Sequence, residues 1–228
     1  MKVTRADTFA APPLLASLCL VLVSVASPAC ANELLPTTGP GPGWASQPLY
    51  AERATDTFFS LAEDAWEVGA EYFVPIQSYR PIDIMILQLA RAWRFSGGLE
   101  LLVGGGIFQS FGNRTDLPPG VSSDSTVTGV SGGGGARYQL VRLAQVALFV
   151  DGSVQVLLTP RQAFPAGGSG LNGFLRGGLG LSCDLTSRFA LEIVYHVAHV
   201  SNASGEAFQN PGWTGHGGGV TVRYRLPR

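Results

Sequence analysis

The sequence predicts an all-β fold: an eight-stranded antiparallel up-and-down transmembrane β-barrel with a polar, side-chain-filled interior. Three observations predict it. These are an N-terminal export signal, connections that alternate between short and long, and apolar and polar residues that alternate within the predicted strands. Composition agrees, because 46% of the 228 residues are hydrophobic and only 14% are charged. No later segment has the roughly 18 uninterrupted apolar residues of a spanning helix, which leaves a closed barrel as the structure that satisfies every backbone group in lipid.

Residues 1–31 are predicted to be a signal peptide. Lys2 and Arg5 precede an apolar run, and the small residues of 29–31 then occupy the two positions that a signal peptidase reads. We expect cleavage after Ala31. A lipoprotein that keeps Cys30 as its acylated residue is the less favoured alternative, because the segment before it lacks the usual branched apolar residue.

Cysteine content and charge exclude two further classes of protein. Cleavage would remove Cys19 and Cys30 with the signal peptide, so no disulfide framework is expected in the remaining chain. The formal net charge is −1 and no block of Lys or Arg occurs, whereas binding to a phosphate backbone needs a basic surface. Nucleic acid is therefore excluded as a partner.

The rest of the chain divides into a leader and a barrel. Residues 32–64 include a stretch rich in Pro and Gly without periodicity, which predicts a flexible periplasmic leader. Residues 65–228 form the predicted outer-membrane barrel domain, with segments long enough to cross a bilayer at a tilt. The predicted strands lie near 65–73, 83–95, 98–110, 126–140, 145–159, 171–184, 188–201 and 213–226.

The connections between these strands set the orientation of the barrel. After the first connection, short turns at 96–97, 141–144 and 185–187 alternate with long loops at 111–125, 160–170 and 202–212. Outer-membrane barrels have short periplasmic turns and longer extracellular loops. The seventh strand therefore runs outward and ends at the surface of a Gram-negative cell.

Side-chain alternation assigns the two faces of the wall. In the fifth strand, Val residues occupy one parity, whereas Asp151, Ser153 and Gln155 occupy the other. The first strand places Glu67 inside by the same rule, and the last strand places Arg223 inside. An eight-stranded barrel is just wide enough to be filled by its side chains, so these charges are expected to pair rather than to line a channel.

The most informative segment is the outward end of the seventh strand. By parity, His199 and Ser201 point toward lipid, where an imidazole and a hydroxyl are costly to place. Such a pair is also the minimum for an activated nucleophile, in which the imidazole removes the hydroxyl proton as it attacks an ester carbonyl. The plainer interpretation is that both are interfacial polar residues at a strand end.

This segment resembles the lipid A 3-O-deacylases of the outer membrane, the PagL-like family, on the runs His199-Val200-Ser201-Asn202-Ala203 and Asn210-Pro211-Gly212. The resemblance covers about 60 C-terminal residues well and the remainder loosely. It implies a serine esterase, without a cofactor, whose lipid-facing site hydrolyses an ester of lipid A in the lipopolysaccharide of the outer leaflet. Ser201 would be the nucleophile and His199 the general base and acid, while Asn202 and Asn210 would stabilise the oxyanion or position the substrate.

The sequence departs from the family's pattern at the catalytic acid. Family members carry a Glu two residues past the Gly of the turn, where this chain has Thr214. By parity, Thr214 and His216 lie on the outer face of the eighth strand, and either could contact His199. Glu206 in the preceding loop is a further candidate, although a solvated loop residue is the simpler interpretation. A histidine oriented by a neutral hydroxyl would act more slowly, because the imidazolium would lack a compensating charge.

Two other functional classes compete with the esterase. A non-catalytic barrel with a structural or surface-interaction role is favoured by Thr214, and a soluble barrel with a ligand in its lumen would require the apolar face to point inward. A metal site is not expected, because His196 and His199 point to opposite faces of a strand and zinc needs further ligands.

Overall fold

Eight antiparallel strands pair in chain order and close into a barrel through the pairing of β1 with β8. The computed structural model describes residues 59–117, 120, 122–160, 164–202 and 212–227. The strands are β1 (Leu61–Pro75), β2 (Ile82–Phe95), β3 (Leu99–Gly112), β4 (Val127–Leu143), β5 (Val146–Leu158), β6 (Leu171–Asp184), β7 (Phe189–Asn202) and β8 (Trp213–Arg225). Within the described part of the chain, no helix is long and apolar enough to cross a membrane. The eight strands and their closure confirm the predicted eight-stranded antiparallel up-and-down barrel.

The strands are close to the predicted segments, with two differences. β1 begins at Leu61, four residues before the predicted start, and pairs with β2 from there. β4 continues to Leu143 because the register with β5 shifts between Gln139 and Val141, which inserts an extra residue and lets pairing continue. The predicted signal peptide and nearly all of the predicted leader lie outside the described residues.

The wall of the barrel has an apolar outer face. Val154, Leu158 and Leu179 are exposed on it, whereas Phe149 and Leu157, which have the opposite parity in β5, are buried in the lumen. This arrangement is the alternation that the sequence predicted. Exposed apolar side chains all round the wall fit a barrel whose outer surface contacts lipid rather than water.

The half of the lumen next to the short turns, called here the periplasmic half after the predicted orientation, contains a network of buried ion pairs. Arg137 Nη1 lies 2.9 Å from Glu67 Oε1 and 3.0 Å from Glu100 Oε1. Arg223 forms ion pairs with the same two carboxylates, and its Nε lies 3.1 Å from Glu192 Oε1. All five side chains are buried. The predicted polar interior is confirmed, and its charges neutralise one another across strands that are far apart in sequence.

A second polar group lies in the middle of the lumen. His196 Nδ1 is 2.8 Å from Glu71 Oε2, and His196 Nε2 is 2.7 Å from Asp151 Oδ1. Arg176 also forms an ion pair with Glu71 and hydrogen bonds with Gln88. These residues line a cavity of about 40 Å³, which is room for little more than ordered water.

The half of the lumen next to the long loops, called here the extracellular half after the predicted orientation, contains a large apolar cluster that the sequence did not predict. Its buried apolar side chains, here called the apolar plug, are Phe73, Ile82, Ile84, Ile86, Phe108, Val127, Leu157, Phe164, Phe174, Ala198, Val200 and Trp213. Phe164 reaches it from the connection between β5 and β6, with its ring centroid 4.8 Å from that of Phe108. The lumen therefore has two chemically different layers.

Candidate active site

The candidate site lies on the outer face of β7 near its extracellular end. His199 is exposed on this face and pairs with Leu175 of β6 and Thr214 of β8. Ser201 is half-buried and pairs with Gly173 of β6. Both side chains project from the wall because residues two apart on a strand face the same side.

A cross-strand hydrogen bond holds the imidazole. His199 Nδ1 lies 2.9 Å from Thr214 Oγ1, so of the two β8 candidates Thr214 is the one that forms a hydrogen bond with the histidine. The other edge of the ring faces Gly212, where a Cβ would lie 3.3 Å from His199 Cε1 and 3.7 Å from Nε2. The imidazole therefore lies between the hydroxyl of Thr214 and the backbone of Gly212, which has no side chain.

His199 and Ser201 lie on the same face of β7, two residues apart. In the described structure, their side chains form no hydrogen bond with each other. Two residues along a strand, their Cα atoms are separated by about 6.6 Å, a distance that side-chain rotation can bridge. Because Thr214 engages Nδ1, the nitrogen left for a proton from Ser201 is Nε2. This division of the two ring nitrogens is the one that a histidine base requires.

The other predicted candidates have different placements. His216 Nδ1 forms a hydrogen bond with the Tyr195 hydroxyl at 3.0 Å, and among the described residues the hydrogen-bond partner of the His199 ring is Thr214, not His216. Asn202 is the last residue of β7, and its side chain lies outside the described residues, as do Glu206 and Asn210. The proposed oxyanion-stabilising role of the asparagines therefore stays a prediction.

The site is supported from inside the barrel by a residue that the sequence analysis did not single out as functional. Trp213, which precedes Thr214, points into the apolar plug, and its Nε1 donates a hydrogen bond to the carbonyl oxygen of Ile82 at 2.9 Å. Trp213 also pairs with Val200 across the β7–β8 ladder. The sequence signal available for this residue was its place at the start of a predicted strand, at a position whose parity points into the lumen.

The polar character of the outer wall differs on the two sides of Ser201. Toward β8 lie the His199–Thr214 and Tyr195–His216 pairs. Toward β6 and β5, exposed apolar side chains reach the same height. Among the described residues, no group of three or more His, Cys, Asp or Glu could hold a metal ion. The chemistry available on this wall is that of a hydroxyl, an imidazole and their neighbours.

Comparison with known proteins gives the fold. No protein-family model and no curated protein matches the chain. Neisserial surface protein A has 13% identity with it and a TM-score of 0.52, over 73% of this chain and 99% of that one. The outer membrane enzyme PagL has 16% identity and a TM-score of 0.48, over 70% and 99%. At 13% identity, the likeness to Neisserial surface protein A shows a shared barrel fold of the outer-membrane type and nothing about activity.

Proposed function

We propose that this barrel is an outer-membrane serine esterase that removes the ester-linked 3-O-acyl chain from lipid A. The observation that carries the proposal is the lipid-facing histidine at the extracellular end of β7, with Nδ1 bonded to Thr214 and Ser201 beside it. Lipid A lies in the outer leaflet, so a site at this height on the outer wall meets its substrate by lateral diffusion. The resemblance of residues 199–203 and 210–212 to the deacylase motif supports the same assignment.

The mechanism assigns one role to each residue. With the Nδ1 proton of His199 donated to Thr214, Nε2 accepts the proton of Ser201 as its Oγ attacks the acyl carbonyl. The tetrahedral intermediate collapses when the imidazolium protonates the departing 3-oxygen of the sugar. Water, activated by the same Nε2, then attacks the acyl-serine and releases the fatty acid.

The neutral hydroxyl of Thr214 limits the rate in this mechanism. It can orient the imidazole and fix its tautomer, but it supplies no negative charge to stabilise the imidazolium. We expect Thr214→Glu to increase deacylation by about tenfold or more. Thr214→Gln is the matched control, because it has nearly the same size as Glu and no charge. An equal response to both substitutions would contradict an electrostatic role for this position.

The test of the function is mass spectrometry of lipid A from Gram-negative cells that express the barrel. Loss of one hydroxyacyl chain is expected with the wild-type protein and with Tyr195→Phe, which removes a hydroxyl from the same face of β7. The chain should be retained with Ser201→Ala and with His199→Ala. Heat-dependent migration in gels would establish that each variant is folded.

The competing function is a non-catalytic barrel with a structural or surface-interaction role. Thr214 favours it, because a carboxylate is absent where the family has its acid. Unchanged lipid A in cells that contain folded wild-type protein, and also folded Thr214→Glu, would establish this alternative and overturn the esterase.

A further inference from the structure

The side of Ser201 that faces β6 is kept open by a glycine. Gly173 pairs with Ser201 and lies on the same outer face. A Cβ built on Gly173 would lie 3.2 Å from Ser201 Oγ, tighter than an ordinary van der Waals contact. Any larger residue at position 173 would therefore press on the hydroxyl and fill the space beside it.

The opposite side of Ser201 is already occupied. The imidazole of His199 is held toward β8 by Thr214, and the ring edge that carries Nε2 packs near the backbone of Gly212. A base and an acyl carbonyl must approach one hydroxyl from different directions, since the proton leaves along one and the new C–O bond forms along another. The space over Gly173 is the direction that remains.

The wall around Gly173 is apolar. Leu171 and Leu175 flank it along β6, and Val156 pairs with it from β5; all three are exposed on the outer face. The β8 side, in contrast, presents hydroxyl and imidazole groups. An ester whose acyl part is apolar and whose alcohol part is a sugar matches this asymmetry when its acyl side lies over β6 and β5.

We propose that Gly173 is a specificity-determining residue that admits the acyl side of the ester to Ser201 from the β6 face. The inference rests on the proposed esterase function and adds the direction of approach. The hydrogen side chain of Gly173 provides the space for the first carbons of the chain, and the leucines on either side contact the carbons that follow. A residue that merely stabilised the strand would have no effect on chain length preference.

The experiment measures labelling of Ser201 by fluorophosphonates in the purified full-length barrel, with a methyl probe compared with a long-alkyl probe. Gly173→Ala is expected to slow labelling by the long-alkyl probe about tenfold or more, with at most about a threefold effect on the methyl probe. Leu175→Ala, which removes wall without crowding Ser201, should also slow only the long-alkyl probe. The matched control is Gly152→Ala on the same wall, where a Cβ lies 3.6 Å from the nearest atom, the Arg176 carbonyl oxygen, and no effect is expected.

The outcomes separate the inference from the function on which it rests. Equal slowing of both probes by Gly173→Ala, or no slowing of either in protein that is folded by heat-dependent migration, would overturn the role in chain placement while leaving the esterase intact. A wild-type barrel that neither probe labels at Ser201 would contradict the esterase, and this inference with it.

Discussion

The two halves of the lumen are filled by different kinds of side chain. In the periplasmic half, Arg137 and Arg223 are surrounded by three buried carboxylates. In the extracellular half, the lumen is filled largely by the aromatic and branched side chains of the apolar plug. Buried ion pairs are directional and leave uncompensated charges when one member is lost, whereas apolar packing loses only contacts and volume. The charged half therefore tolerates single substitutions less well.

The two halves also differ in their distance from the candidate site. The ion pairs lie near the periplasmic turns, far from His199, while the plug includes Val200 and Trp213, the neighbours in sequence of the site residues. Damage to the charged half should lower stability without a specific effect on the site. Damage to the plug should affect both properties.

The largest effect is expected for Arg223→Met. The change leaves Glu67, Glu100 and Glu192 with too little positive charge, and removing one member of a buried ion-pair network costs about 3–5 kcal/mol. Urea unfolding of the barrel in lipid vesicles measures the free energy of unfolding of each variant. Arg91→Met is the control, because the Arg91–Asp64 pair is partly exposed and its loss should cost less than about 1 kcal/mol. Equal losses from both variants would contradict the distinction between the charged half and the surface.

A smaller effect on stability is expected for Trp213→Phe in the plug. It removes the hydrogen bond to the Ile82 carbonyl and part of the ring volume, at a cost of about 2 kcal/mol. Deacylation should fall further than for Phe108→Leu, which changes plug packing on β3, a strand that carries no residue of the site. Equal activities in the two variants would show that the plug does not influence the position of Thr214.

The smallest effect is expected in the connection between β3 and β4. Hydrogen bonds from the Arg114 guanidinium, and then from Arg80, lower the pKa of Asp116 below its usual value, so its stabilisation is present above about pH 4 and is lost as pH falls through the lowered pKa. Asp116→Asn should cost about 0.5–1 kcal/mol at pH 7. The difference from wild type in urea unfolding should shrink below pH 4, and a difference that grows in acid would contradict this sign.

Much of the fold could be predicted from the sequence because alternation is a local property. Asp151, Gln155 and Arg223 were assigned to the lumen by parity alone, and all three face it. The apolar plug could not be predicted in this way. In β2, apolar residues occupy both parities, so Ile84 and Ile86 give no polarity signal, and their clustering with Phe108 and Phe164 depends on register and on a loop that folds inward.

The site was predictable in part for the same reason. Parity placed His199, Ser201 and Thr214 on one face, but it could not choose between Thr214 and His216 as the partner of the imidazole. That choice depends on the β7–β8 register, which pairs His199 with Thr214 and Val197 with His216. The proximity of Gly173 to Ser201 likewise requires the β6–β7 register, which no pattern within either strand encodes.

Consecutive residues of a strand face opposite sides of the wall, so Trp213 in the plug and Thr214 on the outer face are joined by a single peptide bond. Any rearrangement of the tryptophan among its neighbours must shift the hydroxyl that orients His199. Laboratory evolution that selects for altered deacylation should therefore recover substitutions inside the extracellular half of the barrel, at positions that no substrate touches, as well as on the lipid-facing surface.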